Sequence, residues 1–369
     1  MVIKKEVSSN AFSFTALRGI QSGREYYVAM CPLRLIPRIF LFNEMEIPPH
    51  MRAQRTLNKA RVPEMASYMI KNNDYIFSSI TASIDGEILF EPIEDTGHKS
   101  KMGTLSVPMS ARFLINDGQH RRAAIEKALA EKPELGSETI SVVFFLDAGL
   151  KRSQQMFADL NKNAVKPTTS LNILYNHRDE FSRSIISQLN NIPIFGNQLT
   201  ELEKTSISNR AKKVFTLNSI YHSTKSFLGK KEKTPVISND EKKLVSEFWN
   251  EVHNNISEWQ DVVNDKITPY GLRQDYVHVS GVVLHAIGRM GHKLIKDYPN
   301  NWKIKLKNLQ QIDWKKSNPI WEGRAMQNGR LSKVNTNLIL TSNYLKQQME
   351  VPLSKAEIEI EKIITGGSK

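Results

Sequence analysis

Apolar and polar positions alternate with period two in several early segments and turn to helical spacing later in the chain. From Arg24 to Leu41 the sequence is rich in Tyr, Val, Ile, Leu and Phe, but Pro32 and Pro37 interrupt it, which predicts two short edge strands. Arg52 to Lys71 carries Leu57, Val62, Met65 and Met69 at helical spacing, with Arg55, Asn58 and Arg61 mostly on another face. This predicts a basic amphipathic helix, kinked before Pro63 and ending at Asn72-Asn73. Ile80 to Phe90 alternates around Asp85-Gly86, the pattern of a tight hairpin. Ala111 to Ile115 reads as a strand, Arg121 to Lys132 as a helix with Ile125, Ala128 and Leu129 on one face, Ile140 to Leu146 as a buried strand, and Ser153 to Leu160 as a helix.

After Thr168 the spacing is mainly helical, over Ser170 to His177, Phe181 to Leu189, Arg210 to Phe227, Asp240 to Asp261, Val277 to Lys296 and Asn337 to Met349. The expectation is an α+β arrangement: a mixed domain over 10–195, a boundary near Asn190 to Thr200, and a mainly helical, basic domain over 196–365. Lys-rich Gly229 to Asn239, with Pro235, reads as an exposed loop, and the tail from Gly366 as frayed. No internal repeat marks a solenoid.

A length of 369 residues agrees with two domains. No apolar run reaches membrane-spanning length, and the start Met1-Val2-Ile3-Lys4-Lys5-Glu6 does not lead into a secretory h-region, so a soluble cytoplasmic protein is expected. The single cysteine, Cys31, leaves no internal disulfide or thiolate zinc cluster, and its apolar surroundings favour an inert core thiol over a redox role. A net charge of +13 and a pI near 9.5 change the picture more. They point to a polyanionic partner, foremost nucleic acid, against the plainer reading of charge kept for solubility.

The run Asp117-Gly118-Gln119-His120-Arg121-Arg122 falls between a strand and a helix. Unpaired N–H groups at a helix start attract anions, Gly118 permits close backbone approach, Arg121 and Arg122 offer guanidinium forks, and His120 offers a donor. Asp117 is placed to cap the helix, and Gln119 adds uncharged donors and an acceptor. The plainer alternative is a capped helix with a basic first turn, which opposes the helix dipole.

Asp159 to Asn163 concentrates short polar groups beside Lys162 and Lys166, so Asn161, Lys162 and Asn163 form a second candidate phosphate wall or a capped helix end. Asp117 with Asp159 is a weaker magnesium pair. Arg55 and Arg61, with Asn58 between them, would form a ridge facing phosphates or a solvated face. His278, His285 and His292 recur every seven residues, about 10 Å apart on a helix, too far for one metal ion. All tryptophans follow residue 248, among cations including Lys315, Lys316, Arg324 and Arg330, which suits nucleic acid or ordinary packing. A second basic cluster runs from Lys204 to Lys233. Serine-hydrolase, zinc-protease and dinucleotide signatures are missing.

Asp117-Gly118-Gln119-His120-Arg121 is similar to the signature of the DGQHR-domain family, and its surroundings resemble the DndB branch of bacterial DNA phosphorothioation systems. The supporting segments are Tyr68 to Asn72, Met156 to Asn163, Lys166, Ser170-Leu171 and, in the C-terminal stretch, Ile312 to Lys315 with Pro319 to Trp321. The resemblance implies a fold like the ParB N-terminal and sulfiredoxin-like group, where a Gly-Glu-Arg-Arg box contacts nucleotide phosphates. Gly118 to Arg122 occupies the analogous place, with Gln119 and His120 favouring binding over hydrolysis. It further implies a DNA-binding negative regulator of the sulfur-modification genes. Double-stranded DNA, other phosphorothioation proteins and a second copy of the chain are the partners to consider. The alternative is a nucleotide-binding, nucleotide-hydrolysing accessory protein whose cofactor is a nucleotide with Mg2+, and a third reading is a subunit docking on the modification complex.

Overall fold

The computed structural model describes residues 11–40, 57–146, 150–162, 166–196, 198–232 and 235–365. The chain divides into two compact units, 1–165 and 166–369.

The first unit opens with strands β1 (Ala11–Gln21) and β2 (Arg24–Pro32), joined across Ser22-Gly23, both at positive φ (50° and 72°). Two positive φ values in a two-residue loop match the right-handed twist of the flanking strands, so this is the tight hairpin of the unit. Next come a short turn and helix α1 (Ile36–Ile39), then α2 (Val62–Lys71), β3 (Ile80–Asp85), β4 (Leu89–Pro92), β5 (Met102–Pro108), β6 (Arg112–Asp117), α3 (Gln119–Glu131), β7 (Thr139–Leu146) and α4 (Leu150–Lys162). The strands form a seven-stranded sheet in the order β4-β5-β1-β2-β7-β3-β6. All neighbours are antiparallel except β3 and β7. Rings of Phe12 on β1 and Phe113 on β6 lie 6.1 Å apart although three strands intervene. At about 4.8 Å per strand a flat sheet would keep them far apart, so the sheet is strongly curled. Phe14, Phe113 and Phe144 fill its concave side.

Three expectations change here. β2 is one internal strand of nine residues between β1 and β7 rather than two edge pieces, because Pro32 falls at its end and Pro37 in the first turn of α1, where a missing N–H costs little. The Asp85-Gly86 hairpin does not form. β3 has Ile80, Ala82, Ser83 and Ile84 all buried and lies inside the sheet, whereas four-residue β4, ending in Pro92, pairs with β5 at the far edge. The helix expected from Arg52 begins at Val62, with Pro63 in its first turn, after a tight turn over Lys59–Arg61. Asn58 has extended backbone and caps that turn through Oδ1, 3.2 Å from the Ala60 N–H, so Asn58 and Arg61 do not share the face of one helix. Arg55 lies outside the described residues. Cys31 is fully buried, and burial pushes its thiol up to about 12, as expected of an inert core cysteine.

The second unit contains α5 (Thr169–Tyr175), α6 (Glu180–Gln188), α7 (Leu217–Phe227), α8 (Asn239–Asn254), α9 (Ser257–Val263), α10 (Pro269–Asp275), α11 (Gly281–Asp297), α12 (Trp302–Leu306), α13 (Asn335–Gln348) and α14 (Lys355–Thr365). The division falls after residue 165 rather than near 195, because Phe181, Ile185 and Phe195 are buried in the second core, with Phe181 against Tyr221 and Phe195 against Trp249. The helix expected from Arg210 starts only at Leu217, where Thr216 caps it, and the one expected over Asp240 to Asp261 breaks at Asn255-Ile256. α10, α12 and α14 were not expected. α7 and α11 run parallel in close contact: a Cβ on Gly288 would lie 2.2 Å from the Ser223 carbonyl oxygen, and one on Gly291 2.3 Å from the Phe248 ring. All five tryptophans are buried, at 0–6 % exposure. Among the described residues no helix is long and apolar enough to cross a membrane.

Candidate functional site

The motif occupies the corner where β6 gives way to α3. Asp117 pairs with Thr81 while Ile115 pairs with Ala82, so Asn116 is an extra residue in a β-bulge. Its side chain is buried and accepts from Ser83 Oγ at 2.8 Å. The chain then reverses at Gly118, φ 110° and ψ 13°. A Cβ there would lie 3.0 Å from Ile80 Cγ1 and 3.1 Å from Arg121 Nε, so both backbone angle and space demand glycine.

α3 starts with no side-chain cap and no acidic residue in its first turn. Asp117 does not cap it. Its carboxylate instead accepts from Arg121 Nη2 at 2.5 Å, while Arg121 Nη1 donates to Ser78 Oγ. Arg121 Nε is buried with no hydrogen-bond partner among the described residues. Arg122 turns inward: Nε donates to the Phe40 carbonyl at 3.0 Å, Nη2 to the Pro37 carbonyl at 3.3 Å, and Nη1 to Glu126. At 7 % exposure it clamps α3 to α1 and is removed from the set of anion contacts. Gln119 is also buried.

His120 Nε2 accepts from the Asn58 backbone N–H at 3.2 Å, which places the ring proton on Nδ1. Burial lowers its pKa, as do the charges of Arg61 and Arg121, against an opposing pull from Asp117. The imidazole is therefore neutral at pH 7, with a donor left on Nδ1. The structure thus brings Gly118, His120, Arg121 and Asp117 together with Arg61, Asn58 and Ser78. Ser78 was missed, since it falls in a stretch without periodicity and shows itself only once β3 is placed beside α3.

α4 lies alongside β6, but Asp159 and Lys162 are exposed on that helix rather than in a turn beyond it, and Asp159 accepts from Gln155 Nε2 at 2.7 Å. Asn161 lies within the same helix, and Asn163 is outside the described residues. Among the described residues no group of three or more His, Cys, Asp or Glu side chains could hold a metal ion.

In the second unit Arg324 is 7 % exposed, forms a two-pronged ion pair with Glu361 at 3.0 and 2.9 Å, and donates to the Leu340 carbonyl at 2.7 Å. Its donors are spent inside the fold, so it leaves the list of DNA contacts. Lys316 Nζ donates to the Arg273 carbonyl at 2.6 Å and is half-buried, while Lys315 and Arg330 are exposed. Trp314 and Trp321 stack on each other in the core, 5.4 Å between centroids, so neither ring is free to stack on a base. His278 precedes α11 and is a core residue, accepting from Trp259 Nε1 at 3.0 Å.

A family model described as DndB, DNA-sulfur modification-associated, matches residues 14–352. The chain belongs to the DndB family. Neither a curated protein nor a solved structure matches it. The DndB match runs through both units, so the β6–α3 corner and the helical second unit alike lie within the pattern the family shares.

Proposed function

We propose that this DndB-family chain binds double-stranded DNA through the β6–α3 corner and acts as a negative regulator of transcription of its DNA-modification genes. The observation that carries the binding is the uncapped, acid-free start of α3, with Arg121 and Arg61 beside a neutral His120 that keeps an Nδ1–H donor. Helix N–H groups and a guanidinium converging on one corner suit a phosphate oxygen. Asp117 holds the Arg121 fork in place until a phosphate competes for it. The net charge of +13 supplies long-range attraction. The regulatory part of the reading rests on the family's tie to DNA-sulfur modification and on the resemblance carried by the motif.

A gel-shift titration tests both parts. The promoter of the chain's own modification cluster should bind more tightly than random duplex, and Arg121→Ala should lose about 1–3 kcal/mol of binding. Equal affinity for both duplexes would sink the regulatory reading. An Arg121→Ala protein that is folded and binds DNA as wild type does would sink the site.

A further inference from the structure

Beside α11 the second unit carries a cavity of about 310 Å3 lined by five lysines and arginines, two histidines and no carboxylate. Three elements build it. Lys230 and Lys231 follow the end of α7, Arg289 and Lys293 come from α11, and Lys346 comes from the last turn of α13. Gly229, at φ 67°, ends α7 so close to α11 that a Cβ would lie 2.4 Å from the His292 ring. The Lys230 N–H donates back to the Lys225 carbonyl at 3.1 Å, which fixes the turn.

Three of these cations have carboxylate partners outside the lining: Lys230 with Glu241 at 2.6 Å, Lys293 with Asp297 at 2.9 Å, and Lys346 with Glu357. Arg289 and Lys231 have none among the described residues. The negative ends of α7 and α13 account for Lys230 and Lys346, but not for a guanidinium in the middle of α11. Clustered like charges raise the energy of the empty cavity, and a bound polyanion lowers it.

A second cavity of about 440 Å3 adjoins the first across His285, which lines both. It has a more mixed character: Val282 and Leu338 give apolar walls, Thr205, Ser206 and Asn218 give hydrogen-bonding groups, Arg273 and Lys333 add two cations, and again no carboxylate lines it. His285 pairs with Ser226 Oγ at the partition. Each cavity falls within the range of small-molecule sites. A cationic compartment that shares His285 with a mixed apolar and polar one fits a molecule with a polyanionic tail and a ring-bearing body that reaches past that imidazole.

We propose that this cleft binds a nucleoside polyphosphate, with its phosphates among Arg289, Lys231 and Lys293 and its nucleoside against Val282 and Leu338. This site is independent of the DNA reading of the first unit. Titration calorimetry of the full chain with ATP and GTP tests it, with inorganic tripolyphosphate as the tail alone. At least one nucleotide should bind, more tightly than tripolyphosphate, and the double substitution Arg289→Ala with Lys231→Ala should weaken it by at least about tenfold. DNA binding by that variant should stay unchanged. The proposal is overturned if neither nucleotide binds, if the double variant binds nucleotide as wild type does, or if tripolyphosphate binds equally well. It is also overturned if the variant loses DNA instead, since the cleft would then be part of a DNA surface. Far-UV circular dichroism of the double variant confirms that any loss is one of binding rather than folding.

Discussion

The corner before α3 and the cleft beside α11 both concentrate positive charge, by opposite means. In the corner, direction comes from the backbone: a bulge at Asn116, a left-handed Gly118 and the open N-terminus of a helix, with Arg121 and Arg61 added. In the cleft it comes from side chains on three elements, several already tied to carboxylates. A site built on backbone geometry depends sharply on one or two residues. A site built from many cations spreads its dependence.

The sharpest test of that contrast removes one buried cation at each site. Arg122→Ala takes away the clamp holding α3, and Lys346→Ala breaks its pair with Glu357, in which the lysine is 6 % exposed. Lys346→Ala should cost about 3–5 kcal/mol in denaturant unfolding because Glu357, at 15 % exposure, is left unpaired, and Arg122→Ala about 1–3 kcal/mol because the buried Phe40 carbonyl loses its donor while Glu126 is already 55 % exposed. Only Arg122→Ala should also abolish DNA binding; loss of DNA binding in both would erase the distinction. Next comes glycine. Gly118→Ala, strained by φ 110° and crowded by Ile80, should cost about 1–3 kcal/mol and weaken DNA binding. Gly229→Ala meets the half-free His292 ring and should cost about 1 kcal/mol without touching DNA affinity.

A smaller effect should appear in the salt dependence of DNA binding. If Arg121 meets one phosphate, Arg121→Ala lowers the slope of log K against log salt by about one, whereas Lys231→Ala leaves it alone. The smallest effect concerns acid. Burial lowers the pKa of His253, His278 and His285, the last to about 4, and Glu258 and Glu357 are lowered through their partners His278 and Lys346. For Glu357 burial pulls the other way, and the Lys346 and Ser354 bonds together outweigh it. The unfolded histidines take up protons near pH 6.5 while the folded ones resist, so stability is full above that pH and lost as pH falls toward 4. The carboxylates add loss in the same direction below their unfolded value. The first unit has one such histidine among its described residues, His120, so thermal melts from pH 7 to pH 4.5 should show the second unit falling first.

The corner itself was legible. Alternation up to Ile115, a glycine, and helical spacing from Arg121 placed the strand and helix within a few residues of their observed ends. The fates of Arg121 and Arg122 were not, because adjacent helical residues differ by about 100° in direction and only the position of α1 decides which one is buried. Periodicity likewise found β3 and β4 but not their partners, since period two reports which face is buried and says nothing of which strand lies beside it. The tryptophans misled for a related reason: cations near an aromatic in sequence project away from it when the ring faces the core.

The place of β7 has a consequence for how the first unit comes into being. It is the last strand of the sheet to be synthesised, yet it separates β2 from β3 near the middle. Before residue 146 has left the ribosome the growing chain can hold only two fragments, β4-β5-β1-β2 and β3-β6, each with an unsatisfied edge. The native sheet can therefore be joined only when its final strand is available, and a chain terminated before Thr139 would leave the β2 and β3 edges unpaired.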